Sequence, residues 1–146
     1  MSTTSSFFYG KGAVSGYMDP LHVGHIECME LAKKLWDKLI VLLNTDEQKI
    51  AKRGWVFMPH EEREKIIKSL RVVDEVVKVI DTDGSVCKTL EMVKPDIFAK
   101  GGDRFSNEMP EAEVCRRPGI KLVDGLGAKI QSSSDLVKAA ESKQGQ

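Results

Sequence analysis

Apolar residues in this chain fall alternately into short unbroken runs and into stripes at helical spacing, and that alternation predicts most of the elements. Gly12-Ala13-Val14-Ser15 is small and apolar enough for a buried strand. Ile26, Met29, Leu31, Ala32 and Leu35 then recur at helical spacing, which predicts a helix from about Gly24 to Leu35. The run from Lys38 to Asn44 is nearly continuously apolar, the pattern of a central parallel strand covered on both faces. Gln48 to Met58 shows no period, so a loop is expected there, with room for a short helical turn. Glu61 to Leu70 crowds acids into its first turn and carries an Ile66, Ile67, Leu70 stripe, which predicts a helix. A strand is expected from about Glu75 to Ile80, and Ser85 is placed to cap a helix carrying Val86, Leu90 and Val93. Beyond it, Asp96 to Lys100 reads as a strand, Glu111 to Arg116 as a short helix and Ile120 to Val123 as a strand. Ser132-Ser133-Ser134 supplies capping chemistry for a last helix through Leu136, Val137 and Ala140.

Strand and helix alternate about five times, which predicts an α/β fold: a single Rossmann-like doubly wound domain with a central, about five-stranded parallel sheet. In such folds ligands bind beyond the carboxyl ends of the strands. A chain of 146 residues fits one such domain, expected over 11–140, with a loose arm over 1–10 and a fraying tail over 141–146. The aromatic trio Phe7-Phe8-Tyr9 in that arm can pack on the domain or on a second subunit. Basic and acidic residues number 22 each, so the chain lacks the basic field of a nucleic-acid binder, and a small-molecule partner is expected instead. Cys28, Cys87 and Cys115 are odd in number and far apart, which fits reduced thiols in the cytoplasm. No stretch approaches the roughly 20 apolar residues of a membrane helix.

The candidate chemistry concentrates in Gly16-Tyr17-Met18-Asp19-Pro20-Leu21-His22-Val23-Gly24-His25, between the first strand and the first helix. Free N–H groups at a helix N-terminus and the positive end of its dipole favour an anion there. His22 and His25 add side-chain donors, and Gly16 and Gly24 remove bulk where a phosphate would approach the backbone. Two other readings stand beside a triphosphate site: histidines and glycines that serve only the turn, or a metal site of His22, His25 and Cys28. The other strand ends carry compatible groups. They are Lys49, Lys52 and Arg53 after the second strand, Lys100-Gly101-Gly102-Asp103-Arg104 after the fourth, and Lys129 with the three serines after the fifth.

His22-Val23-Gly24-His25 resembles the His-x-Gly-His signature of the nucleotidyltransferase superfamily that includes the cytidylyltransferases, and Gly16 to His25 is similar to its whole first loop. The likeness extends from Gly12 to Leu136 with its parts in order. Lys52 falls where a family lysine contacts phosphates. Glycerol-3-phosphate cytidylyltransferases have a second lysine where this chain has Gly54, with Arg53 and Lys49 nearby to compensate. They also carry an arginine where Gly127-Ala128-Lys129 stands, so Lys129 is the available phosphate contact. Lys94-Pro95-Asp96 with Lys100-Gly101-Gly102-Asp103 resembles the segment of heptose-1-phosphate adenylyltransferases that lies beside the nucleotide, and Ser132-Ser133-Ser134 resembles the family's closing Ser-Thr-Thr.

The resemblance implies transfer of CMP or AMP, from CTP or ATP, to a small phosphorylated metabolite such as a sugar or polyol phosphate, with release of pyrophosphate. His22, His25 and Lys52 would be catalytic. Ser15, Gly16, Tyr17, Gly24, Lys100, Gly101, Asp103, Lys129, Ser132, Ser133 and Ser134 would bind the nucleotide. Asp19, Trp55 and Arg63 are candidates at the substrate. Mg²⁺ is the implied cofactor, with no metal site built by the protein alone, and a homodimer is implied because family members are commonly dimers. A second class is a nucleotide-binding module of the same fold without turnover, which predicts binding but no pyrophosphate release.

Overall fold

A computed structural model describes residues 9–100 and 119–123, without the side chains of Tyr9, Lys100 and 121–123. The described elements run β1 (Tyr9–Gly16), α1 (Val23–Leu35), β2 (Trp36–Leu43), α2 (Asp46–Arg53), α3 (His60–Lys68), β3 (Glu75–Lys78), α4 (Cys87–Val93), β4 (Ile97–Lys100) and β5 (Lys121–Val123). The strands form one sheet in the order β3-β2-β1-β4-β5, and every pairing is parallel. The chain winds outward from β1 to β3, then returns to lay β4 on the other side of β1. The carboxyl ends of β1 and β4 therefore flank the point where the winding reverses, which is where doubly wound folds take their ligands.

The central strands are apolar on both faces because helices cover both. In β2, Leu39, Val41 and Leu43 join Val14, Ile97 and Ala99 against Met29 and Ala32 of α1 and Ile67 of α3. The intervening Ile40 and Leu42 join Ala13 and Phe98 against Leu90 of α4, Val79 and Ile120 on the opposite face. Trp36 opens β2 and lies flush on Gly12 of β1: a Cβ at Gly12 would sit 1.9 Å from the indole. Only glycine leaves room for the ring.

Three elements differ from expectation. Residues 46–53 form a helix, α2, where no period predicts one. Its signals are local: the Thr45 hydroxyl accepts from Gln48 N–H, the Gln48 amide oxygen accepts from Thr45 N–H, and Gly54 closes the helix at φ 82°. β1 begins at Tyr9, so Tyr9 and Gly10 belong to the sheet rather than to an arm. The main cap of α4 comes from Asp81, whose carboxylate accepts from the amides of Lys88 and Thr89 at 2.7 and 3.0 Å and from the Thr89 hydroxyl at 2.6 Å. Ser85 accepts only a long 3.4 Å bond from Cys87 N–H. The helices expected at 111–116 and after Ser134 lie outside the described residues. Among the described residues, no helix is long and apolar enough to cross a membrane.

Candidate active site

The turn between β1 and α1 ends on a reciprocal histidine cap. His22, extended at φ −144°, is the N-cap of α1; its Nδ1 accepts from Gly24 N–H at 3.1 Å, while its own N–H donates to Nδ1 of His25 at 3.1 Å. The two rings stack with centroids 3.8 Å apart. An imidazole that accepts at Nδ1 carries its proton on Nε2, so each neutral ring presents an Nε2–H donor. Burial, with the charge of His22 as a lesser cause, lowers the pKa of His25 to about 4, so its ring is neutral near pH 7. The amides of Gly24 and His25 are already engaged, by Nδ1 and the carbonyl of His22. The turn therefore offers an anion imidazole N–H groups and the helix dipole more than open backbone amides.

Behind the turn lies a buried polar network that ties together the ends of β1 and β2. The Asp19 carboxylate accepts from Lys49 Nζ at 2.8 Å and from the amides of Phe57 and Met58 at 2.8 and 2.6 Å. Trp55 packs on that ammonium, with its ring centre 3.9 Å from Nζ. Arg63 donates to the carbonyls of Met58, Tyr17 and Asn44 at 2.8, 2.6 and 3.1 Å and to Asp46 at 2.5 Å. Asn44 in turn bonds Gln48, whose amide reaches the carbonyls of Asp83 and Ser85.

Three of the candidate substrate residues have partners within this network. Asp19 holds the segment after α2, and both of its oxygens have partners before any substrate arrives. The Arg63 guanidinium, buried, is likewise committed to three carbonyls and a carboxylate, and so ties the first turn to the β2 exit. Trp55 packs on Lys49, and Lys49 itself is buried and paired, which removes it as a stand-in for the family lysine; Arg53, exposed, is free of that objection. Sequence reasoning placed Lys49 among the phosphate-compatible groups and missed its buried pairing with Asp19, and it did not place Asn44, Asp46 or Gln48 in the site. Lys49 reads as a solvated loop lysine unless the Thr45 and Gln48 capping box is recognised and α2 is drawn.

Lys52, exposed on the last turn of α2, lies over the ring of Tyr17 at 5.0 Å. Ser15 is buried in β1 and in register with Lys100 at the end of β4, so these positions share the sheet edge with the histidines. Gly16 closes β1, and a Cβ there would meet Met18 at an ordinary 3.8 Å, so the protein's own packing does not require this glycine. Gly101, Asp103, Lys129, Ser132, Ser133 and Ser134 lie outside the described residues. Among the described residues no cluster of three or more His, Cys, Asp or Glu side chains is placed to hold a metal ion, which removes the His22, His25 and Cys28 site.

Residues 13–123 match the family described as cytidylyltransferase-like. The chain is 40% identical over 111 residues to an FAD synthase of Thermococcus kodakarensis, covering 73% of this chain and 72% of that protein. It is 32% identical over 130 residues to an FAD synthase of Picrophilus torridus, covering 86% and 92%. The bifunctional protein HldE of Gluconobacter oxydans is 32% identical over 130 residues, which cover 88% of this chain and 27% of that protein. Among solved structures, a lipopolysaccharide core biosynthesis protein from Thermoplasma volcanium superposes with a TM-score of 0.67 at 28% identity, over 83% of this chain and 99% of that one.

Proposed function

The chain belongs to the cytidylyltransferase-like family and is a nucleotidyltransferase, and from that premise we propose that it transfers AMP from ATP to the phosphate of a small acceptor, with FMN as the first acceptor to test. The observation that carries this reading is the reciprocal cap of His22 and His25 at the winding reversal, which holds two Nε2–H donors beside a helix N-terminus. Relatives named FAD synthases favour AMP over CMP, and a flavin phosphate over the sugar or polyol phosphate expected from sequence. The likeness of Lys100-Gly101-Gly102-Asp103 to an adenylyl enzyme agrees with adenine.

In this reaction an ionised phosphate oxygen of the acceptor attacks the α-phosphorus of ATP. A new P–O bond forms as the bond to the β-phosphate's bridging oxygen breaks, and pyrophosphate leaves with the electron pair. The nucleophile is already an anion, so no general base is needed. Catalysis then consists of aligning two anions and stabilising charge as it moves to the leaving group. His22 and His25 donate Nε2–H bonds to phosphate oxygens, and Lys52 adds charge from α2. Mg²⁺ keeps much of its water and binds substrate phosphates rather than all-protein cages. With Asp19 committed to Lys49 and to two backbone amides, and no cluster of three or more His, Cys, Asp or Glu side chains among the described residues, these residues do not build a resident Mg²⁺ site; a divalent ion would arrive as a companion of the triphosphate.

The test is pyrophosphate release from ATP and from CTP, each with FMN, for the native protein and for His22→Ala. Release with ATP and FMN, reduced about 100- to 1,000-fold in the variant, is expected from loss of one transition-state donor. Nucleotide binding without release for any phosphorylated acceptor would instead identify a binding module. A cytoplasmic homodimer accompanies the proposal, and sedimentation of the purified protein tests the dimer.

A further inference from the structure

Among the described residues the exposed large apolar side chains are aliphatic or thioether except for Phe57, whose phenyl ring leaves the residue 53% exposed. A lone apolar side chain at the surface is ordinary. The backbone beneath this one is not. The Phe57 amide donates to Asp19 at 2.8 Å, the Met58 amide donates to the same carboxylate at 2.6 Å, and the Met58 carbonyl accepts from Arg63 at 2.8 Å. Asp19 and Arg63 are themselves buried. A buried charged network thus fixes the main chain at Phe57 and Met58 while the phenyl ring stands in solvent. Trp55, two residues earlier, already lies on Lys49, and of the two rings Phe57 is the more open.

Asp19 stands three residues before His22, and three residues of chain span at most about 11 Å. Phe57 is therefore anchored to the turn that carries the histidine donors. Its anchor is on the β2 side, through the stretch that follows α2, whereas the winding reverses on the other flank of β1, against β4. A doubly wound sheet takes its nucleotide in the crevice at that reversal, which leaves the β2 side to the second substrate. We propose that Phe57 stacks on a flat aromatic ring system of the acceptor, and so selects a phosphate monoester that carries such a ring over a bare sugar or polyol phosphate. The inference rests on the transferase reading and names the acceptor class within it. An aromatic side chain on a backbone already held in place loses little freedom when the ligand arrives, so stacking on it adds to affinity.

The experiment measures pyrophosphate release from ATP with FMN and, separately, with glycerol 3-phosphate, for the native protein, Phe57→Ala and Phe57→Tyr, together with thermal unfolding of each. In Phe57→Ala the KM for FMN should rise roughly tenfold, as for loss of one stacked ring, with the KM for ATP and the Tm unmoved. The native preference for FMN over glycerol 3-phosphate should shrink by the same factor. Phe57→Tyr keeps the ring and should restore the native constant for FMN. An unchanged KM for FMN in Phe57→Ala overturns the inference and leaves the transferase reading standing. So does an equal rise for ATP and FMN with a lower Tm, which marks a phenyl that serves the fold alone. Native protein that uses glycerol 3-phosphate but not FMN overturns the inference and the flavin acceptor together, and release with neither acceptor overturns the transferase reading as well.

Discussion

At the carboxyl ends of β1 and β2, Lys49 and Asp19 meet at 2.8 Å with side chains 6% and 0% exposed; near the amino ends of β2 and β3, Lys33 and Asp74 meet at 2.6 Å with side chains 31% and 36% exposed. Each carboxylate also accepts backbone amides, two at Asp19 and one at Asp74. The difference lies in what the charges hold. Asp74 steadies the end of a helix beside two strands that already pair along their length. Asp19 and Arg63 hold three segments that leave the sheet: the first turn, the β2 exit and the stretch after α2. Those segments have no ladder of their own, so buried charge supplies the geometry that backbone pairing supplies elsewhere. A buried pair is weak evidence for net stability, yet breaking one is costly, because the remaining charge stays out of water. The carboxyl edge is therefore the less forgiving of the two.

Four outcomes sharpen the contrast. Lys49→Met leaves Asp19 buried without its cation and should cost about 3–5 kcal/mol in denaturant unfolding. A loss below about 1 kcal/mol would make the two ends equivalent. Arg63→Lys keeps the charge but not the fork that reaches three carbonyls and Asp46, and should cost about 2–4 kcal/mol.

The third outcome concerns pH. His25 titrates near 6.5 unfolded and about 4 folded, so between those values the unfolded state binds more protons. Its contribution is fully present above about pH 6.5 and is lost as pH falls towards 4, by roughly 2–3 kcal/mol at about 1.4 kcal/mol per pH unit. Urea unfolding at pH 7.5 and 4.5 checks the sign against His25→Gln, and NMR titration of the ring checks the midpoint. At the amino end, Asp74→Asn should cost less than about 1 kcal/mol, as exposed pairs do. Its carboxyl, raised by burial but lowered more by bonds from Lys33 and Leu39 and by lysine charges, lies below its ordinary value. That contribution is present above the ordinary carboxylate range and is lost as pH falls through the lowered value.

The sequence made the sheet legible because strands covered on both faces leave unbroken apolar runs, and β2 is the clearest of them. The histidine turn was legible because its spacing is rare. What hid was the polar scaffolding behind it. α2 buries Gln48 and Lys49 rather than an apolar stripe, so hydrophobic periodicity passes over it, and only Thr45, Gln48 and Gly54 mark its ends. With α2 unseen, Asp19 and Arg63 read as candidates at the substrate, and their buried partners stayed out of sight. Their partners lie 30 to 46 positions away for Lys49 and Tyr17, a separation at which no local pattern can act.

Gly12 and Trp36 bear on how such a chain can drift over generations. Any side chain at position 12 strikes the indole, and any smaller residue at position 36 opens a hole in a closely packed layer, so neither site can mutate first without penalty. The two positions form one heritable unit. A scan of single substitutions would find both immutable, while a joint exchange of volume between adjacent strands stays open to the lineage.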